Sequence, residues 1–297
     1  ERPVRRRHHP GLTMHQRSIR LVVSPDADDL FMVRALLEGA IDTGPYRFEI
    51  ERAPTDALNA MASGDETLDV VAISIAHYPR VAERYLLLPH GGSVGDGYGP
   101  VVVGREPGTL DDLHQARLAI PGTTTTAWLV LRLLLGPFRA PEAIVVPIAP
   151  HERVFEALER GDVDYALLIH EGRLTFRDRG LHAVVDLGAA WAARTGGPLP
   201  LGGNAIRRSL GPTVIRDVSA LLRASIAHAL DDREASIQWL LDRGGALRTR
   251  DQVSEYLSMY ANHRTLDYGE DGRAAIVALL TEAADAGLLP RAPVEFA

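Results

Sequence analysis

The 297-residue chain contains no cysteine, and all 32 of its Lys/Arg positions are arginine. These two absences exclude thiolate nucleophiles, cysteine-held zinc or iron–sulfur clusters, and lysine Schiff bases. A GC-rich coding sequence accounts for the arginine bias, but the chemical exclusion stands whatever its origin. Proton transfer must therefore rest on His, Asp, Glu or Tyr. No apolar run approaches the ~18 residues that suggest a membrane span. The net charge of −7 comes with arginines scattered among acidic residues, so no basic stripe for nucleic acid forms.

What remains is the composition of an ordinary globular protein, 46% hydrophobic and 24% charged. Its length suggests about two domains, each able to bury a core. Residues 1–17 stand apart. Arg2, Arg5, Arg6, Arg7, His8 and His9 precede Met14 without the apolar core of a signal peptide. They read as a disordered extension, a misassigned start or a cloning scar, ahead of a short nucleic-acid-binding arm. The expectation for the rest is a cytoplasmic protein.

Asp164-Tyr-Ala-Leu-Leu-Ile-His-Glu-Gly-Arg-Leu-Thr-Phe176 carries the most information. Five apolar residues, Tyr165 to Ile169, run into His170, Glu171 and Gly172, the pattern of a buried parallel strand opening into a loop. Ligands of open α/β sheets bind at such carboxyl ends. The segment repeats an earlier layout. Leu58 to Gly64 leads to Asp69-Val-Val-Ala-Ile-Ser74, just as Val154 to Gly161 leads to Asp164 and His170. Each is a helix closed by glycine, an acidic residue, an apolar strand and a polar strand end. Tyr98-Gly-Pro-Val-Val-Val-Gly104 and Pro198-Leu-Pro-Leu-Gly-Gly-Asn204 are bracketed by breakers and read as two crossings between lobes. After residue 210 the chain turns helical, a block expected to pack back on the first lobe.

Several segments invite chemistry, and each also has a plain structural reading. Ile19 to Val23 is the first core strand, and Ser24-Pro-Asp-Ala-Asp-Asp29 precedes a helical run from Leu30 to Ile41. Ser24 or Asp26 can cap that helix and the acids suit its dipole, so capping is expected of most of the cluster, with one carboxylate facing a ligand. The calcium-loop spacing is absent. Pro121-Gly-Thr-Thr-Thr-Thr126 opens a helix with free N–H groups and hydroxyls, a site for a carboxylate or phosphate or a plain N-cap. It is neither a Walker loop nor a dinucleotide fingerprint. Ser74 binds a ligand or caps the next turn, while His77 and Tyr78 read as packing residues. His151-Glu152 and His170-Glu171 are half a zincin motif each, lacking the second histidine. No G-x-S-x-G elbow occurs. His170 is either a proton acceptor or a histidine satisfied at a strand end, with Glu171 orienting it or pairing with an arginine.

Taken together, Ser24-Pro-Asp-Ala-Asp-Asp-Leu-Phe-Met32, Asp69 to Ser74, Gly97-Tyr-Gly-Pro100, Pro121 to Ala127, Leu168-Ile-His-Glu-Gly-Arg-Leu-Thr-Phe176, Pro198-Leu-Pro-Leu-Gly202 and Thr265-Leu-Asp-Tyr-Gly269 resemble the 1,4-dihydroxy-6-naphthoate synthase family, lyases of the futalosine route to menaquinone. The Ile-His-Glu-Gly and Pro-Leu-Pro-Leu-Gly segments are the specific ones. The resemblance begins near residue 18 and implies an α/β, two-lobed type II periplasmic-binding-protein-like fold, each lobe a mixed sheet flanked by helices. Lobe 1 would comprise 18–103 and 204–297, and lobe 2 104–203. The family's substrate is cyclic dehypoxanthinylfutalosine, a small carboxylate, and its chemistry needs no metal or organic cofactor. By the same resemblance His170 matches the general base, Thr125, Thr126 and Ala127 match the anion-binding turn, and Ser74 matches the opposite polar strand end. Asp28 and Asn204 sit in matching segments as further substrate contacts. Phe176 departs from the tyrosine expected there. The related chorismate dehydratase should lack Ile-His-Glu-Gly, and a non-catalytic solute-binding protein is the alternative from another class.

Overall fold

The structure, a computed structural model, describes residues 16–65, 67–136, 140–147 and 152–297. Residues 1–15 and His151 lie outside the described residues. In chain order the elements begin β1 (Arg17–Val23), α1 (Ala27–Glu38), β2 (Tyr46–Arg52), α2 (Thr55–Ser63), β3 (Val70–Ser74), β4 (Tyr85–Leu87) and β5 (Ser93–Gly95). Next come β6 (Val101–Gly104), β7 (Arg117–Ile120), α3 (Thr126–Leu135), β8 (Glu142–Val145), α4 (Glu152–Arg160), β9 (Tyr165–Leu168), α5 (Gly172–Thr175), β10 (His182–Asp186) and α6 (Leu187–Thr195). The chain closes with β11 (Leu199–Arg207), α7 (Pro212–Asp231), α8 (Arg233–Arg243), α9 (Arg250–Tyr260), α10 (His263–Leu266) and α11 (Gly269–Asp285).

These strands form two mixed sheets. The first runs β2-β1-β3-β11-β4 with β5 paired to β11, and the second runs β10-β6-β9-β7-β8. In each, parallel pairs (β1 with β2 and β3; β7 with β8 and β9) meet antiparallel ones (β11 with β3, β4 and β5; β6 with β9 and β10). The chain passes between the sheets after β5 and again before β11, at the expected Pro/Gly-rich crossings. Sheet membership changes earlier on both passages than the expected lobe boundaries. Val101–Val103, assigned to lobe 1, belong to β6 of the second sheet, and Leu199–Gly203, assigned to lobe 2, pair within the first. β6 and β11 each pair within one sheet, so the breakers ahead of them mark the change: Gly99-Pro100 before β6 and Gly196-Gly197-Pro198 before β11. The first strand likewise begins at Arg17, paired with Tyr46.

The repeated layout survives as three-dimensional wiring. Val70 to Ser74 are buried throughout, as their apolar run requires. Ahead of β3, Asp69 accepts the N–H of Arg20 at 2.9 Å; ahead of β9, Asp164 accepts that of Arg117 at 2.9 Å. One hydrophobic cluster crosses between the sheets, joining Ile75 and Tyr78 after β3 to Ala127, Trp128 and Leu131 of α3. Each large side chain so buried contributes roughly 1.5–3 kcal/mol. The late helices return to the first lobe as expected, α7, α8 and α9 packing on α1, and α11 on β11. That return brings Tyr256 and Tyr260 of α9 to the space between the sheets.

Candidate active site

The acids after β1 do not cap α1. Asp26 occupies the cap position, yet its side chain makes no capping bond. Its Oδ2 accepts from the Ser24 hydroxyl and lies 3.4 Å from His170 Nε2. Asp28 Oδ1 accepts from the Tyr256 hydroxyl at 3.0 Å, and Asp29 Oδ2 accepts the Ser24 N–H at 2.6 Å. The cap comes instead from the other sheet: Glu171 Oε1 accepts the Ala27 N–H at 3.0 Å. A carboxylate at this positive helix end is favoured by the dipole. Burial raises the Asp28 carboxyl above the usual range, opposed chiefly by His170. Burial raises Asp29 well above it, with Asp28 adding to the shift.

His170 follows β9 after one further residue and sits at φ +50°, a left-handed conformation that non-glycine residues adopt at a cost of roughly 1–2 kcal/mol. The turn takes the chain out of the strand direction and puts the ring into the gap between the sheets. There Nε2 lies 3.1 Å from Thr55 Oγ1 and Nδ1 lies 3.4 Å from the Tyr256 hydroxyl. The side chain is 20% exposed, so a ligand in the gap can reach it. His170 is therefore more than a histidine satisfied at a strand end, since Thr55, Asp26 and Tyr256 all come from the other sheet's side.

On the same lobe as His170, after the neighbouring strand β7, Thr125 caps α3: its hydroxyl accepts the Trp128 N–H at 3.3 Å and donates to Gly122 O at 2.9 Å. Thr126 Oγ1 donates to Leu201 O at 2.7 Å and accepts the Ala76 N–H at 3.1 Å, tying α3 to the first sheet. Both hydroxyls are thus occupied. Helical geometry leaves the N–H groups of Thr126 and Ala127 without intrahelical acceptors, and these are the anion donors the turn offers. Ser74 ends β3 without capping the turn that follows. Its N–H goes to Asn59 Oδ1 at 3.0 Å and its Oγ accepts from Asn59 Nδ2 at 3.1 Å. That bond uses one of the two hydroxyl lone pairs, and Ser74 lines the gap between the lobes.

His170, Ser74, Thr125, Thr126, Ala127 and Asp28 line one cleft of about 740 Å³, its open mouth included. Asn204 does not line it. Its side chain packs against Gly91, which at φ +74° has no room for a side chain, and its Oδ1 has no hydrogen-bond partner among the described residues. Phe176 is buried in the second sheet's own core beside Phe155. His77 and Tyr78 are packing residues, as expected. Among the described residues no group of His, Asp or Glu side chains is arranged to hold a metal, and no helix is long and apolar enough to cross a membrane. Sequence reasoning missed Thr55, Asn59, Tyr256 and Tyr260. A buried polar residue on the inner face of α2 hinted at Asn59, but nothing local joins Tyr256 to residues far upstream.

Two lobes with a ligand-sized gap between them define a periplasmic-binding-protein-like fold. The alkanesulfonate-binding protein SsuA from Xanthomonas axonopodis pv. citri, solved with MOPS bound, matches with a TM-score of 0.68 at 15% identity, over 92% of this chain and 94% of that one. A family model described as menaquinone biosynthesis matches residues 19–285. The chain is 38% identical to the 1,4-dihydroxy-6-naphthoate synthase of Streptomyces coelicolor, over 92% of this chain and 95% of that protein. It is 37% identical to the enzyme of the same name from Thermus thermophilus, over 93% and 97% respectively. This chain belongs to the menaquinone biosynthesis family.

Proposed function

We propose that the protein is a carbon–carbon lyase that converts cyclic dehypoxanthinylfutalosine to 1,4-dihydroxy-6-naphthoate. One observation carries the reading: in a chain so similar to two synthases, a single cleft is lined by an imidazole and the α3 N-terminal residues from the second lobe and by Ser74 from the first. The substrate carboxylate is held by the N–H groups of Thr126 and Ala127 and by the Ser74 hydroxyl, with Thr125 fixing the turn. His170 removes a proton, the carbon–carbon bond breaks, the sugar-derived fragment leaves and the ring aromatises. A positioned base of this kind contributes about 10²–10⁴-fold. Asp28 faces the same cleft, while Asn204 supports its wall from behind Gly91. The lobes in this reading are 17–95 with 199–297, and 101–195. A cytoplasmic location and independence of metal or organic cofactor belong to the same reading.

The test is turnover. Incubation with cyclic dehypoxanthinylfutalosine releases product with naphthoate absorbance, whereas a solute-binding protein shows affinity without turnover and a chorismate dehydratase consumes chorismate. His170→Ala keeps ligand affinity within about 5-fold and loses about 10²-fold or more in kcat. An unchanged kcat in that variant removes His170 as the base.

A further inference from the structure

Three groups from separate elements meet where the cleft closes: the His170 imidazole after β9, the Tyr256 phenol in α9 and the Asp28 carboxyl in α1. The phenol oxygen is 3.0 Å from Asp28 Oδ1 and 3.4 Å from His170 Nδ1. Burial raises the Tyr256 phenol well above its usual range, so it keeps its proton. A phenol has one hydrogen to give. The closer acceptor is the carboxyl oxygen, which leaves a phenol lone pair facing Nδ1. Two lone pairs at that separation repel, so the contact is favourable only when Nδ1 carries hydrogen.

On the opposite side the nearer neighbour decides. Nε2 is 3.1 Å from the Thr55 hydroxyl, a donor suited to a nitrogen lone pair, and 3.4 Å from Asp26 Oδ2, which already accepts from the Ser24 hydroxyl. That carboxylate opposes a bare Nε2, and it stabilises the ring once Nε2 has been protonated.

We propose that Tyr256 and Asp28 are positioning residues that hold His170 as its Nδ1–H tautomer, making Nε2 the atom that receives the substrate proton. This rests on His170 being the base. In the step, the Nε2 lone pair forms the new N–H bond and the electron pair of the broken bond to hydrogen stays on the substrate. The resulting imidazolium donates from Nδ1 to the phenol and faces Asp26 at Nε2. The tautomer is assembled only when second-lobe His170 meets first-lobe Tyr256, Asp28, Thr55 and Asp26.

Two-bond ¹H–¹⁵N correlation spectra of ¹⁵N-histidine-labelled protein read the tautomer directly. In the parent, Nδ1 is expected protonated and Nε2 bare. Tyr256→Phe keeps the ring packed on Tyr260 and removes only the hydroxyl. It should shift the ring toward the Nε2–H form and lower kcat about 10- to 100-fold, with KM within about 3-fold. Asp28→Asn, which still offers an oxygen to the phenol, should keep the parent tautomer. An Nε2–H ring in the parent, or an unchanged tautomer and kcat in Tyr256→Phe, overturns the proposal, and the parent spectrum decides alone if the variant does not fold. Full turnover in His170→Ala sinks the base assignment itself. An inactive His170→Ala beside an unaffected Tyr256→Phe removes only the positioning role.

Discussion

Asp69 and Asp164 stand at the same point of two repeated helix–strand segments, and each binds both backbone groups of an arginine in the neighbouring strand. Asp69 accepts from Arg20 N and donates its own N–H to Arg20 O at 3.0 Å; Asp164 does the same with Arg117, the second bond being 2.8 Å. The strands they introduce end in opposite ways. Ser74 stays in extended backbone at φ −64°, with its hydroxyl orientation set by one buried amide. His170 turns to φ +50° and takes its partners from the facing lobe. A shared scaffold fixes where a strand stops, and the residues beyond it decide whether the end keeps its partner within its own lobe or takes it from the facing one.

The largest contrast between the regions should appear in acid. His77 and His90, both in the first-sheet half of the chain, are buried, and burial lowers each to a pKa of about 4. Histidines 114 and 182 beside the second sheet are exposed. An unfolded chain protonates its histidines below about pH 6.5 while the folded one resists until about 4, so stability present above 6.5 is lost as pH falls through that window. The loss approaches about 3 kcal/mol for each buried histidine. Urea midpoints at pH 7 and pH 4.5 should fall steeply for the parent and less for His77→Gln or His90→Gln. Identical pH slopes in all three proteins would mean that neither ring is kept neutral by the fold.

The strand ends themselves should separate in kinetics. Ser74→Ala removes a donor to a charged group, worth about 1.5 kcal/mol, and so raises KM about 10-fold while kcat stays within about 3-fold. That is the reverse of the pattern expected for His170→Ala. A fall in kcat with unchanged KM would instead put the reacting atoms beside Ser74.

Much of this arrangement was legible in the chain. Val70–Ser74 and Tyr165–Leu168 declare themselves as buried strands because every residue is apolar up to the polar end. The Pro-Gly turn before Thr125 and Thr126 marks a helix start by local chemistry alone. Acids before a helix are ordinarily caps, so the local pattern assigns Asp26 that role. What displaced it is Glu171, reaching across from the second lobe, and no local pattern encodes a cap supplied from 144 residues away. Tyr256 was invisible for the same reason: it sits in an amphipathic helix whose inner face reads as plain core.

The finest test returns to the two aspartates. Asp164 ties to Arg117 through the backbone N–H, Nε at 3.2 Å and Nη2 at 2.6 Å, and the two side chains are 37% and 42% exposed. Asp69 joins three strands' worth of chain: it accepts from Arg20 N, pairs with Arg207, and its carbonyl receives the Arg207 N–H at 2.9 Å, with the side chain only 12% exposed. Water replaces the lost partner more readily around Asp164 than around Asp69, whose loss takes an acceptor from both the Arg20 N–H and the Arg207 guanidinium. Asp69→Ala should therefore cost about 2 kcal/mol and Asp164→Ala less than about 1 kcal/mol. Denaturant midpoints of the two variants check the difference. Equal costs would show that the carboxylate's bond to the backbone, common to both lobes, outweighs everything the burial adds.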